Sequence, residues 1–121
     1  MKTIKGNLIL TENTTFNESI NVEGNILGKD GKRYNLIVKG DIKAGDIKAG
    51  DINAGDIDAV DINAGDIDAV DINAGNINYY AVCFAYNSIK CNSIKGNRNN
   101  HKHFVLDGKI IIKEKEKEQS K

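Results

Sequence analysis

The chain has 121 residues, with 17 Lys plus Arg against 17 Asp plus Glu, 40% apolar and 6% aromatic residues, twelve Gly and neither Pro nor Trp. The length suits one domain, no apolar run is long enough to span a bilayer, and the start Met1-Lys2-Thr3-Ile4-Lys5-Gly6 does not lead into an apolar leader core. These features predict a soluble cytoplasmic domain in which Cys83 and Cys91 are reduced thiols rather than a disulfide.

Residues 1–39 read as an N-terminal cap and irregular coils. They carry loose copies of one motif, in Ile4-Lys5-Gly6-Asn7-Leu8, Val22-Glu23-Gly24-Asn25-Ile26 and Val38-Lys39-Gly40-Asp41-Ile42, so a solenoid is expected to begin near Lys5. Between them Asp30-Gly31 lies between extended segments, a hairpin signal, and residues 28–33 are expected to protrude as a loop from an early coil.

From Gly40 to Tyr79 the chain reads GDIKA, GDIKA, GDINA, GDIDA, VDINA, GDIDA, VDINA, GNINY, eight units of five with Ile third in each. A period of five fits neither a helix of 3.6 residues per turn nor a flat strand of period two, and the recurring Gly-Asp disfavours a helix. A chain that turns a corner every five residues meets both objections. Ile and Ala lie two apart, so a short extended piece puts both on one side and the residue between them on the other. Gly-Asp then turns the corner. The inward set is either Ile with Ala or Ile with the Gly/Val place. The first is favoured, because alternating Gly with Val60 and Val70 would pack a core unevenly.

Four sides predict a coil of about 20 residues, with successive coils about 4.8 Å apart. That register sets Lys48 on Asp68, Asn53 on Asn73, Ile57 on Ile77 and Ile62 on Val82, with Tyr79 and Phe84 above Ala59 and Ala64. Residues 80–112 then form an aromatic C-terminal coil, a cap and a last hairpin. Tyr79, Tyr80, Phe84 and Tyr86 are read as the beginning of a cap or self-association surface over the solenoid end, with ordinary core filling as the alternative. Ser88-Ile89-Lys90 and Ser93-Ile94-Lys95 resume the spacing of five but out of phase by two, which a small insertion near Tyr86 explains. Asn97 to His103 form a polar loop. Phe104-Val105-Leu106 and Lys109 to Ile112 flank Asp107-Gly108 as the hairpin. Residues 1–112 thus make one domain, and 113–121, alternating Lys and Glu, a solvated tail.

The Asp-Ile-x-Ala units resemble the pentapeptide-repeat family. The resemblance implies an all-β, right-handed quadrilateral β-helix, and it carries a function seen in some members, imitation of duplex DNA to occupy DNA-binding enzymes. The chain departs from that family's pattern in having Gly or Val before Asp and Ala two places after Ile. A weaker resemblance, in recurrent Gly-x-Ile runs, is to bactofilins, whose β-helical cores polymerise end to end. The strict period of five argues against them.

Charge is unevenly placed. Residues 40–79 hold nine Asp and two Lys, a net of −7, while the remainder holds fifteen Lys plus Arg and eight Asp plus Glu, a net of +7. Stacked Asp residues read either as turn residues bonding the backbone or as a docking surface for a basic partner. A cation site lacks the Gly-rich nonapeptide of calcium-binding β-rolls.

Catalytic chemistry is sparse. Cys83, Cys91, His101 and His103 have spacings that match no common zinc site. Cys83 within Ala-Val-Cys-Phe-Ala reads as a buried thiol, and the histidines as solvated. No phosphate-binding loop is present, and the Thr ranks of an ice-binding surface are missing after Thr15. The expectation is a protein without enzymatic activity, cofactor or metal. Its acidic repeat face, Asp46, Asp51, Asp56, Asp58, Asp61, Asp66, Asp68 and Asp71, would dock on and block a basic, nucleic-acid-binding protein, without touching nucleic acid or membrane itself. The alternative is a structural solenoid that self-associates through its ends. A third reading sequesters a small ligand in a cleft beside residues 27–34 or between subunits.

Overall fold

A computed structural model describes residues 1–112, which form a β-solenoid of seventeen short strands and one 3-10 turn. The expected charged tail, 113–121, lies outside the described residues. Three parallel walls wind in the order one, two, three. Wall one stacks β1 (Lys2–Ile4), β4 (Ile20–Val22), β7 (Ile42–Lys43), β10 (Asp56–Asp58), the end of β12 (Ile67–Asn73), the end of β14 (Val82–Cys91) and β17 (Lys109–Ile112). Wall two stacks β2 (Leu8–Leu10), β5 (Ile26–Gly28), β8 (Asp46–Lys48), β11 (Asp61–Asn63), β13 (Asn76–Tyr79) and β15 (Ser93–Gly96). Wall three stacks β3 (Thr14–Phe16), β6 (Leu36–Val38), β9 (Ile52–Asn53), the starts of β12 and β14, and β16 (Lys102–Val105). The long strands β12 and β14 run round the corner from wall three into wall one and join the two into one sheet.

The solenoid is as expected, but its regular coil has three sides rather than four. Ile42 pairs with Ile57 and Ile57 with Ile72, Ile47 with Ile62 and Ile62 with Ile77, and Ile52 with Ile67, each a spacing of 15. The predicted register of about 20 is therefore wrong in the repeats, and the three-sided coil departs from the quadrilateral that the family resemblance implies. The physical reason lies in the core. Inward side chains increase in proportion to the perimeter of a coil, whereas its interior grows as the square of that perimeter. Three units of Ile with Ala enclose the smaller interior, and there every repeat Ile is at most 1% exposed. Lys43 consequently lies beside Asp58 and Lys48 beside Asn63, while Asp68 neighbours Asn53 and Phe84.

The inward set is Ile with Ala. Every repeat Ile is at most 1% exposed and Ala49, Ala54, Ala59, Ala64, Ala69 and Ala74 are buried, whereas Val60 and Val70 are 60% and 40% exposed. The insertion expected near Tyr86 is present as two single-residue steps: Ile67 pairs with Cys83 at a spacing of 16, and Ile72 with Ile89 at 17, across a register shift between Ala69 and Asp71.

Two expected hairpins do not form. After β5 the chain makes a 3-10 turn at Lys29–Gly31 and passes to β6 on another wall, so residues 28–33 are a corner loop without strand reversal. Likewise β16 and β17 each pair in parallel with β14, with Asp107-Gly108 at the corner between them. A solenoid supplies each strand with a partner from the preceding coil, so a turn signal marks a change of wall. The first strand starts at Lys2, ahead of the expected start. Among the described residues no helix is long and apolar enough to cross a membrane.

Candidate interaction site

The three corners carry ladders of short oxygen-bearing side chains that tie each coil to the next. On the corner before wall one, Ser19 Oγ accepts the Asp41 N–H at 2.8 Å, Asp41 Oδ1 accepts the Asp56 N–H at 2.9 Å, and the Ser88 hydroxyl donates to Asp71 Oδ1 at 2.8 Å. Before wall two, Asn7 accepts from the Asn25 N–H, Asn25 from Asp46, and Asp61 from Asn76, at 2.8–2.9 Å. Before wall three, Asn13 accepts from Asn35, Asn35 from Asp51, Asp51 from Asp66, and Asp66 from the Val82 N–H, at 2.9–3.0 Å. The backbone groups that an abrupt corner leaves without a sheet partner are thus satisfied. These carboxylates bond the following coil rather than their own turn. Asn7, Asn13, Ser19, Asn25 and Asn35 perform the same task outside the repeats and were missed as ladder members. The signal was their place immediately before the first inward residue of a strand, the place that Asp holds before Ile in the repeats.

The predicted acidic face is divided among the corners. Asp41, Asp56 and Asp71 share the corner before wall one; Asp46 and Asp61 lie before wall two; Asp51 and Asp66 lie before wall three. Asp58 points out of wall one and Asp68 out of wall three. The one concentration is on wall one. There Asp41, Asp56, Asp58 and Asp71 border a shallow groove of about 560 Å³, shared with Lys43 and Lys90. Burial, then the charges of Asp41 and Asp71, raise the Asp56 carboxyl above its usual 3.8. Among the described residues no three His, Cys, Asp or Glu side chains are grouped to hold a metal ion.

The aromatic residues separate. Tyr79 is fully buried and points inward, and its hydroxyl lies 2.7 Å from His103 Nδ1. Tyr80 and Tyr86 are exposed, and Phe84 faces outward, tilted against Phe104 at 5.0 Å with Lys102 Nζ 5.2 Å from the Phe104 ring. The four do not form one cap, because β15, β16 and β17 stack beyond them. Tyr79 does meet the end of the core, in company with the two histidines expected in solvent. The first one-residue step, between Ile77 and Cys83, decides this by turning Phe84 outward. Cys83 and Cys91 are both buried, and burial pushes the Cys83 thiol up to about 12.

No protein-family model matches this chain, and neither do any curated proteins or solved structures. The architecture, a rigid prism with outward ranks of polar side chains, fits a structural or interaction protein.

Proposed function

We propose that the protein is a non-enzymatic interaction module that receives a cationic protein surface on wall one. The observation that carries this reading is the stack Asp41, Asp56 and Asp71 along a groove, with Asp56 ionising reluctantly between its neighbours. A cation placed against the stack would relieve that repulsion. Nucleic-acid-binding proteins present such basic clefts, and occupying one would block it. The test replaces all three residues by Asn, which keeps the ladder acceptor and removes the charge. Proteins captured by the wild type are then titrated against both forms at rising salt. The expected result is at least about tenfold weaker binding by the variant and steep salt dependence in the wild type. Equal binding that ignores salt would overturn the proposal.

The solenoid end favours a second reading, self-association. Among the described residues β1, β2 and β3 each pair on one side only, leaving three strand edges open at the first coil. A sedimentation profile of a monomer independent of concentration would remove it.

A further inference from the structure

We propose that the last coil is a proton-operated closure of the solenoid, locked by Tyr79 and neutral His103 and released when His103 takes a proton. The inward column of wall three runs Thr14, Leu36, Ile52, Ile67, Cys83, His103. An imidazole therefore stands where the preceding coils place mainly apolar side chains. Its Nδ1 lies 2.7 Å from the buried Tyr79 hydroxyl, and the His103 and His101 rings meet the Tyr79 ring edge-on at 5.8 and 6.0 Å. Gly96 pairs with Tyr79 on wall two, and a Cβ at Gly96 would collide with the His101 ring. Tyr79, His101 and His103 together thus plug the end of the core.

The plug is suited to one charge state. In the Nε2–H tautomer of neutral His103 the Tyr79 hydroxyl donates to Nδ1; with His103 protonated, Nδ1–H donates to the Tyr79 oxygen instead, and the buried Tyr79 proton loses its acceptor. Among the described residues the ionisable groups around the imidazole are Tyr79 on β13, Cys83 below it on β14, with Cys91 bearing on Cys83, and His101 on the preceding loop; the neighbouring Lys102 points outward over Phe104. None is a carboxylate that could neutralise an imidazolium. His101 Nδ1–H donates to the Arg98 carbonyl at 2.7 Å, a bond that its protonation leaves intact. Burial, then His101, hold His103 below its usual 6.5. An opened coil restores that ordinary value, so closure is fully favoured above about pH 6.5 and weakens below it. The strands that would leave are β16 and β17, which are held to the stack through β14. Their departure would uncover Tyr79 and Cys83.

Hydrogen exchange of the full chain, corrected for intrinsic rates, tests this at about pH 7.5 and about pH 5.5. Protection in β16 and β17 should fall between the two by several-fold, at most about tenfold per pH unit, while β8 and β9 hold theirs. His103→Leu, and His103→Gln should the first not fold, should abolish the difference. His101→Gln should keep it. Unchanged protection in the wild type, a difference that survives in the His103 variants, or one lost in His101→Gln would overturn the proposal.

Discussion

Asp56 separates the two roles of a corner carboxylate, charge and hydrogen-bond acceptor. It stands between Asp41 and Asp71 and receives a backbone hydrogen bond from Asp71. Carboxylates stacked about 4.8 Å apart repel by about 1 kcal/mol each in a water-like dielectric, so two neighbours cost at most about 2 kcal/mol. Exposure and salt reduce this to about 1 kcal/mol at low ionic strength. Asp56→Asn keeps the acceptor and removes the charge, as Asn25 and Asn35 do naturally in the other ladders. It should stabilise the fold by about 0.5–1 kcal/mol at neutral pH and low salt. Asp56→Ala also removes the charge but leaves the Asp71 N–H without its partner, a loss of about 1–3 kcal/mol that outweighs the gain. The pH dependence has a definite sign. Because the folded-state value lies above 3.8, the folded protein holds this proton more tightly, and stability falls as pH rises from 3.8 through the folded value. Asp56→Asn should lack that fall. Urea unfolding followed by circular dichroism at about 20 mM and about 1 M salt measures both effects, and the advantage of Asn should shrink at the higher salt. An Asn variant as unstable as the Ala variant at low salt would refute the repulsion argument.

The orientation of the repeat can be tested at neighbouring residues. Ile62→Ala, at a fully buried site, should cost about 2–5 kcal/mol, whereas Val60→Thr at a 60% exposed site should stay within about 0.5 kcal/mol by the same unfolding assay. Gly28→Ala should destabilise the early coils, because its Cβ would collide with the Lys32 carbonyl oxygen; the melting temperature should fall by several degrees. Cys83, buried and raised to about 12, should react with a thiol reagent at neutral pH at least about 100-fold more slowly in the folded chain than in urea.

Much of the ladder chemistry was open to a reader of the sequence, and its target was not. Gly-Asp announced a corner, but whether Asp bonds its own turn or the next coil depends on what stands above it. Asp41 meets the Asp56 N–H only because the coil closes after three sides. The acidic run illustrates the same limit. Nine Asp in forty residues look like a surface, yet three corners divide seven of them and Asp58 and Asp68 project from different walls, and only wall one collects Asp41, Asp56, Asp58 and Asp71 around a groove. His103 looked solvated among Asn, Lys and Arg. The alternation Lys102-His103-Phe104-Val105 puts it on the side of Val105, and pairing with Cys83 makes that side the inside.

Local geometry narrowed the inward set to Ile with Ala or Ile with the Gly/Val place, because alternate side chains in a strand share a side, and the uneven size of Gly and Val favoured Ala; Ile and Ala are buried and Val60 and Val70 exposed. The number of sides lay beyond it. With Ile at every fifth residue, spacings of 15 and 20 both set Ile on Ile, so the apolar pattern is blind to the choice. Only closing the coil around its contents decides it, and three Ile with three Ala close each regular coil after 15 residues. From that closure follow the partners of every outward charge, the grouping of carboxylates on wall one and the meeting of Tyr79 with His103.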